Sequence, residues 1–260
     1  MGTPTFGHLF LTGASGGIGS RLAEIWAETG GRVTLFARNA ANLEALADRI
    51  GHDRCLVTPG DASSQADLET AVAQSIDRFG KIDALAHCVG SIKLKPLHLA
   101  TIEDFDDTLN RNLRTAFLAT RAVLPHFRSN QAGSVVLVST VAASQGMNNH
   151  EMIAAAKAGI EGFVRSAAIS YARSGIRFNA VAPGLTDTPM AAPLLSSETS
   201  RTISEQIHPM GRVARAEEVA RVIAFLAGPE TSFVTGQIWG VDGGLGCGVM
   251  PPRVSIKPAT

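Results

Sequence analysis

Short apolar runs rich in β-branched residues alternate along the chain with longer segments in which apolar residues recur at helical spacing. Buried strands are predicted at residues 9–12, 32–37, 54–58, 84–88, 134–139, 177–181 and 238–241. Helices are predicted near residues 18–29, 43–49, 65–78, 102–127, 151–172 and 216–226. Ser64, followed three residues later by Asp67, resembles a capping box that opens the third helix.

This alternation of strands and helices predicts parallel strands joined by right-handed crossovers. The expected fold is therefore a single α/β domain of the doubly wound Rossmann type, with a seven-stranded parallel sheet in the order 3-2-1-4-5-6-7 and helices on both faces. No linker or internal repeat divides the chain, so the domain is predicted to span residues 1–246. Residues 247–260 contain three prolines and no periodicity, and they are predicted to form an irregular tail.

Composition limits the classes of partner. Hydrophobic residues make up 45% of the chain and charged residues 18%, which is enough for a sizeable core. Acidic and basic residues are equal in number, 23 of each, so no net field attracts nucleic acid or anionic lipid. No apolar run approaches the roughly 18 residues of a membrane span, and no signal peptide is recognisable. We expect a cytoplasmic protein that binds a small molecule, without nucleic-acid or membrane partners.

The three cysteines and seven histidines suggest neither a disulfide framework nor a metal site. Cys55, Cys88 and Cys247 are far apart, odd in number and without a C-x-x-C pair, which favours reduced thiols. No histidine has a metal-ligand spacing to a carboxylate or thiol, so no metal is expected. His87 and Cys88 could form a reactive pair, but Cys88 ends a predicted buried strand, and inert packing is favoured.

A glycine-rich segment at residues 12–19, with the sequence TGASGGIG, joins the first predicted strand to the first helix. Glycines at such a turn let the backbone approach a pyrophosphate at the positive end of the helix. A plain flexible turn is the alternative interpretation. The position between strand and helix favours a dinucleotide site. Its predicted residues are Gly13, Ser15, Gly16, Gly17, Ile18 and Gly19.

Arg38 follows the second predicted strand, nineteen residues after Gly19. An acidic residue at this point would bind the 2′-hydroxyl of the adenosine ribose and select NAD, whereas an arginine can pair with a 2′-phosphate. NADP(H) is therefore favoured over NAD(H). If Arg38 is only a solvated surface residue, the choice of cofactor stays open.

From about residue 9 to residue 244 the chain resembles the short-chain dehydrogenase/reductase family, whose T-G-x-x-x-G-x-G motif matches residues 12–19. Residues 87–90, HCVG, match its N-x-A-G turn with the first and third positions altered. The resemblance implies further cofactor contacts at Asp61 and Ala62 for the adenine, and at Gly90, Pro183, Gly184 and Thr188 nearer the nicotinamide. Asp61 could instead only begin the turn before the third helix.

Segments near the end of the chain, at residues 208–212, 217–219, 235–237 and 241–244, resemble the bacterial 3-oxoacyl-carrier-protein reductase branch of that family. This likeness implies a homotetramer or a homodimer. Residues 188–210 are expected to select the substrate. Because the segment begins with the apolar residues MAAPLL at 190–195, it is either a lid over an apolar ligand or a helix against a neighbouring subunit.

The catalytic set implied by the resemblance is incomplete. Asn112 matches the family's active-site asparagine, Thr140 its serine and Lys157 its lysine, which binds the nicotinamide ribose and lowers the pKa of a phenol. The phenol itself, four residues before the lysine, is replaced by Ile153, which has no proton to give. Tyr171, the only tyrosine in the chain, lies eighteen residues further on, at the end of a predicted helix.

A positioned general acid contributes about 10²–10⁴ in rate, or roughly 3–5 kcal/mol of barrier. His150, three residues before Ile153, is a candidate replacement, although a histidine at a helix start is more often a solvated or capping residue. Two functions follow. The first is an NADP(H)-dependent oxidoreductase that reduces a carbonyl, or oxidises an alcohol, with an atypical catalytic set. The alternative is a catalytically silent NADP-binding homologue with a regulatory or structural role.

Overall fold

Seven parallel strands form the central sheet, which the computed structural model describes within residues 6–248. They are β1 (His8–Thr12), β2 (Arg32–Ala37), β3 (Cys55–Pro59), β4 (Ala84–His87), β5 (Gly133–Val138), β6 (Ile176–Pro183) and β9 (Ile238–Val241). The order β3-β2-β1-β4-β5-β6-β9 confirms the predicted order. Two short strands, β7 (Thr186–Asp187) and β8 (Ala214–Arg215), pair separately in parallel.

Helices cover both faces of the sheet, as predicted. Their bounds are α1 (Gly17–Glu28), α2 (Ala40–Ile50), α3 (Gln65–Phe79), α4 (Ile102–Leu109), α5 (Thr115–Asn130), α6 (Glu151–Tyr171), α7 (Glu198–Ile207) and α8 (Ala216–Ala227). Apolar residues of α1, α2 and α8 pack on one face, and those of α3, α5 and α6 on the other. None of the helices within residues 6–248 is long and apolar enough to cross a membrane.

The two hydrophobic cores follow from the side-chain alternation of the strands. On β1, Leu9 and Leu11 join the core under α1, α2 and α8, whereas Phe10 points to the opposite core. Trp26 of α1 fills the first core and Phe127 of α5 fills the second. Strands that are buried on both faces read as continuous apolar runs, which is why the sequence pattern located them.

Ser64 caps α3 as predicted, because its hydroxyl accepts a hydrogen bond from the Asp67 backbone N–H. The reciprocal half of the predicted capping box is absent from the described hydrogen bonds. Asp67 Oδ2 instead accepts from the backbone N–H of Asp61, at 2.9 Å, so this carboxylate holds the turn after β3.

One helical prediction was wrong. The single helix predicted at residues 102–127 is divided by a π-helical segment, Asn110–Arg114, which lies between α4 and α5. The helix α7 falls in the segment for which a lid and a helix were the two alternatives; its residues are mostly polar, apart from Ile203 and Ile207. The predicted tail begins at Cys247, which ends a 3₁₀ turn, Leu245–Cys247. Residues 249–260 of the predicted tail lie outside the described residues.

Candidate active site

The candidate site is a cavity of about 510 Å³ at the carboxyl ends of the central strands. Strand order reverses between β1 and β4, and doubly wound sheets bind ligands at such a switch point. Fourteen of the residues predicted for the site line this cavity: Ser15, Gly16, Gly17, Ile18, Gly19, Gly90, Asn112, Thr140, His150, Ile153, Lys157, Pro183, Gly184 and Thr188. Gly13, Arg38, Asp61 and Ala62 do not line it.

Three glycines of the turn after β1 sit where a side chain would collide. Gly13 has a φ of +74°, and a Cβ there would lie 2.7 Å from the Cys88 carbonyl carbon. A Cβ on Gly17 would lie 2.7 Å from the Thr188 side chain, and a Cβ on Gly19 would meet the Gly13 carbonyl. Glycine is required at these positions because the turn is tight and its neighbours are close.

The first turn of α1 has no side-chain cap, and its N-cap residue is Gly16. The first backbone N–H of the helix with an intrahelical acceptor is that of Ser20, which donates to the Gly16 carbonyl at 2.9 Å. Uncapped N–H groups at the positive end of a helix bind anionic groups. A segment that has no room for side chains at Gly13, Gly17 and Gly19 and that ends in open N–H donors fits the pyrophosphate of a dinucleotide.

Arg38 and Asp61 lie beyond the cavity, at the ends of β2 and β3. Both are exposed. Hydrogen bonds from the Ser63 backbone and hydroxyl, both at 2.8 Å, lower the pKa of Asp61, and the charge of Arg38 lowers it further. The guanidinium and the carboxylate are therefore close enough to interact. Ala62, next to Asp61, is buried.

Lys157 on α6 is a buried cation. Its side chain is only 6% exposed, and Nζ donates a 2.8 Å hydrogen bond to the carbonyl oxygen of Val138 at the end of β5. Burial lowers the pKa of Lys157 to about 8. No carboxylate among the described residues forms a salt bridge with it, which leaves its remaining N–H donors for a ligand.

Asn112 lies in the π-helical segment and is fully buried. Its Nδ2 donates to the Thr108 carbonyl at 2.9 Å and to Ser91 Oγ at 3.1 Å, while Oδ1 accepts from the Ser91 backbone N–H at 3.1 Å. A π-helical turn inserts a residue into a helix and is frequent at functional sites. Here it places Asn112 against the loop that follows β4.

Thr140 follows β5 and is half-buried. Its hydroxyl has only long contacts, 3.5 Å to the Pro183 carbonyl and 3.4 Å from the Ala142 N–H. The preceding residue, Ser139, is engaged more firmly, because its hydroxyl donates to Glu161 Oε1 at 2.8 Å. Thr140 is therefore the hydroxyl that stays available to a ligand in the cavity.

Ile153 and His150 line the same cavity at the start of α6. Ile153 is buried, at 5% exposure, one helical turn before Lys157. His150 is the N-cap residue of α6, but its side chain makes no capping hydrogen bond. Its Nδ1 lies 2.7 Å from the Asn148 carbonyl, so the neutral ring carries its proton on Nδ1 and has a free Nε2.

Residues of the predicted lid segment form one wall of the cavity. His208 joins the end of this segment to the turn after β6: its Nδ1 donates to the Ser204 carbonyl, at 2.6 Å, and its Nε2 accepts from the Leu185 N–H at 3.1 Å. Gly184 has no space for a side chain, since a Cβ would lie 2.6 Å from His208 Nε2. The segment is thus held over the cavity from its C-terminal end.

Electrostatically the cavity is simple. Among the described residues that line it, Lys157 is the only side chain with a formal charge at neutral pH, histidines taken as neutral. Burial lowers the pKa of His87 to about 3 and raises the pKa of Cys88 to about 12, so this pair forms neither an imidazolium nor a thiolate near neutrality. Within residues 6–248 no cluster of histidine, cysteine or carboxylate side chains could hold a metal ion.

Sequence analysis assigned no role to three residues that shape the site: Ser91, Glu161 and His208. Ser91 binds Asn112, Glu161 binds Ser139, and His208 binds the turn after β6. Glu161 lies four residues after Lys157, on the same face of α6, and this spacing was the available signal. Ser91 and His208 depend on long-range contacts that no local pattern encodes.

Comparison with known proteins gives consistent results. A family model described as enoyl-(acyl carrier protein) reductase matches residues 13–246. The chain is 37% identical to cis-4-hydroxycyclohexanecarboxylate dehydrogenase of Sinomonas cyclohexanicum over 237 residues, which cover 90% of this chain and 94% of that protein.

Solved structures agree. The fold matches 3-ketoacyl-(acyl-carrier-protein) reductase from Brucella melitensis complexed with NADH, with a TM-score of 0.84 and 30% identity over 92% of this chain and 98% of that chain. It also matches a variant of actinorhodin polyketide ketoreductase with NADPH, with a TM-score of 0.88 and 29% identity over 95% of this chain and 99% of that chain.

Proposed function

The chain belongs to the short-chain dehydrogenase/reductase family, and from this premise we propose that it is an NADP(H)-dependent oxidoreductase that reduces a carbonyl group, or oxidises an alcohol, without a tyrosine as proton donor. The observation that carries the proposal is the cavity in which the uncapped glycine turn, Asn112, Thr140 and Lys157 meet. Ile153 occupies the position where the family resemblance places the tyrosine. What is missing is a proton donor, not a binding site.

The cofactor would lie along the carboxyl edge of the sheet. Its pyrophosphate would be held by the turn that contains Gly13, Ser15, Gly16, Gly17, Ile18 and Gly19. Arg38 would pair with a 2′-phosphate, and Asp61 with Ala62 would contact the adenine. Gly90, Pro183, Gly184 and Thr188 would surround the nicotinamide, and Lys157 would bind its ribose. When bound, a nicotinamide supplies or accepts a hydride.

The protein's own residues would act on the substrate oxygen. Thr140 would donate a hydrogen bond to it, because the Thr140 hydroxyl has no short partner. Lys157 would place a positive charge nearby and stabilise a developing negative charge. Asn112 would fix the loop that carries Gly90 and hold a water behind Lys157. The proton would come from water or from His150.

A turnover screen tests this proposal. The native protein, with NADPH and a series of ketones, acyl thioesters and quinones, should consume NADPH. Absence of consumption with every compound, under conditions where NADPH binding is measured directly, would contradict it and favour the catalytically silent homologue. His150→Ala separates the two proton sources, because a loss of about 100-fold or more assigns the proton to His150 and an unchanged rate assigns it to water.

A further inference from the structure

Resting on this proposed nicotinamide-dependent function, we propose that the substrate is a neutral conjugated carbonyl compound, a quinone, whose reduced form leaves the hydride step as a delocalised oxyanion. The inference joins three properties of the cavity: its apolar walls, its single cation and its lack of a proton donor beside that cation.

The walls select a neutral and apolar ligand. Apolar side chains from three segments face the cavity: Ile92 and Leu94 from the loop after β4, Met147 from the connection before α6, and Met190, Ile203 and Ile207 from the segment before β8. A charged substituent on the substrate would find Lys157 as the only charged partner among the described lining residues. Burying a charge without a partner is costly, so substrates with additional ionised groups are disfavoured.

The described side chains that line the cavity lack an acid suited to an alkoxide. Ile153 carries no proton. Both ring nitrogens of His208 are engaged, and the ring Nδ1 of His150 is used on the Asn148 carbonyl. Of the two proton sources proposed above, water is therefore the one that the substrate assignment uses. Thr140 can donate a hydrogen bond, but an aliphatic hydroxyl does not release its proton near neutral pH. A simple ketone, whose reduction creates an alkoxide, is therefore expected to be reduced slowly.

Reduction of a quinone does not need an acid in the cavity. A bound dihydronicotinamide would give up a hydride, so its C–H bond would break and an O–H bond would form at one quinone oxygen. The two electrons of the hydride would make the ring aromatic and leave the negative charge on the other oxygen. That phenolate has a conjugate acid with a pKa of about 10, far below the pKa of the alcohol that an alkoxide forms on protonation. The weaker base takes its proton from bulk water after release. The reaction consumes one quinone, one hydride and one proton and yields one hydroquinone.

The buried ammonium group of Lys157 suits this product. A cation without a carboxylate partner stabilises a phenolate more strongly in an apolar cavity than at a surface. Burial lowers the pKa of Lys157, and an anionic ligand beside Nζ would oppose that effect. The cavity thus suits a phenolate, which is stabilised by its own conjugation and by the charge of Lys157.

The decisive experiment compares 1,4-naphthoquinone with 1-tetralone, an aryl ketone on a similar bicyclic skeleton whose reduction leaves an alkoxide, in the native protein and in Ile153→Tyr. The direct reaction of NADPH with the quinone is subtracted. A quinone is also a stronger oxidant than a ketone, so the ratio in one protein is not decisive. The test is the change in the quinone-to-ketone ratio of kcat/KM between the native protein and Ile153→Tyr. Ile153→Tyr should restore the acid and raise ketone reduction by about 10²–10⁴, so that the ratio falls by at least 100-fold. Ile153→Phe is the matched control, since it adds the ring without the hydroxyl and should leave the ratio within tenfold.

A binding measurement on the native protein needs no turnover and no variant. The protein is loaded with NADP⁺ and titrated with 1-naphthol, whose ultraviolet absorption changes on ionisation. The bound naphthol should ionise with a pKa at least one unit lower than in buffer, which is a tenfold gain in the ionised fraction. A bound pKa equal to or above that in buffer overturns the inference.

The outcomes separate this inference from the function on which it rests. Reduction of 1-tetralone within tenfold of 1,4-naphthoquinone, or an unchanged ratio in Ile153→Tyr, overturns the quinone assignment and leaves the oxidoreductase standing. Binding of NADPH without consumption by either compound overturns both.

Discussion

The amide oxygen of Asn112 lies so close to Gly90 that a methyl group on Gly90 would approach it to 2.9 Å. The same methyl would lie 3.4 Å from Lys157 Nζ. The absence of a side chain at residue 90 therefore lets a residue of the π-helical segment and a residue of α6 converge on one loop. Asn112 is fixed in this position by its hydrogen bonds to Ser91.

Gly90→Ala should displace the Asn112 amide and weaken its hydrogen bonds to Ser91. A lost hydrogen bond of this kind costs about 1 kcal/mol, which lowers the melting temperature of a domain this size by roughly 2–4 °C. Calorimetry of the chain without ligand checks this. Gly162→Ala on α6 is the control: nothing lies within 4 Å of its added Cβ, and a helical Gly-to-Ala change should stabilise by up to about 1 kcal/mol. Equal melting temperatures for native protein and Gly90→Ala would contradict the prediction.

Lys157 should make stability depend on pH in an unusual direction. Burial lowers its pKa from 10.5 to about 8, so between these values the unfolded chain binds more protons and the contribution of Lys157 to the free energy of unfolding rises with pH. Below pH 8 the buried charge is destabilising by up to about 3 kcal/mol.

Lys157→Met, which removes the charge and preserves the side-chain volume, should therefore be more stable than the native protein at pH 7, and this difference should shrink as pH rises from 8 to 10.5. Urea unfolding of both chains at pH 7, 8, 9 and 10, without cofactor, measures it. A difference that does not change with pH would show that the ammonium group is not desolvated as described.

Most of the fold could be predicted from the sequence, because strands buried on both faces and helices with one apolar face have strong periodic signals. The failures have physical causes. The π-helical segment Asn110–Arg114 keeps near-helical spacing, so periodicity extended one helix through it. The helix α7 has no buried residue and only two apolar ones, Ile203 and Ile207, so its pattern did not decide between a lid and a helix.

The residues of the candidate site also fall into those that the sequence could predict and those that it could not. Residues that belong to contiguous motifs, such as the glycine turn and Lys157, could be located because their spacing along the chain reflects their chemistry. Ser91, Glu161 and His208 act through partners that are distant in sequence or through a buried hydroxyl, and only the folded chain brings them together. The sequence predicts which proton donor is missing, but the geometry is needed to find which side chains lack hydrogen-bond partners in the cavity.

Arg38 should determine the choice of cofactor. It is exposed beside the Asp61 turn and would meet a 2′-phosphate as an ion pair. Charge-assisted hydrogen bonds contribute about 1.5–3 kcal/mol, so Arg38→Asp should weaken NADPH binding by roughly 10–100-fold and improve NADH binding. Fluorescence titration with both cofactors measures this. Arg128→Asp, which makes the same charge change on an exposed residue at the end of α5, is the control. An unaltered preference in Arg38→Asp would return the choice of cofactor to an open question.

His208 should hold the predicted lid closed. His208→Phe keeps the ring but removes the hydrogen bonds to the Ser204 carbonyl and the Leu185 N–H. Two hydrogen bonds of about 1 kcal/mol each correspond to a roughly 10–30-fold increase in local opening. Trypsin cleavage after Arg201 in α7 should accelerate accordingly, whereas cleavage after Arg128 in α5 should not. Cleavage after Arg201 at the native rate would mean that these two hydrogen bonds of His208 do not hold α7 in place.

The expected homotetramer needs two different interfaces, and the described surface offers two separate apolar areas. One lies on α5 and α6, where Phe117 is 49% exposed and packs edge-on against Phe163. The other lies at the sheet edge, where Trp239 of β9 stacks near Phe225 of α8, both partly exposed. Such areas are typical of surfaces that another subunit covers.

Phe117→Asp should split the tetramer into dimers, because a buried unpaired carboxylate is costly in an apolar interface. Phe225→Asp should do the same through the other surface, and the double variant should be monomeric. Multi-angle light scattering after size exclusion reports the mass. Phe117→Leu, which keeps the surface apolar, should remain tetrameric and thus separates loss of apolar contact from misfolding. A monomeric native protein, or a tetramer that survives both aspartates, would show that these surfaces serve another purpose.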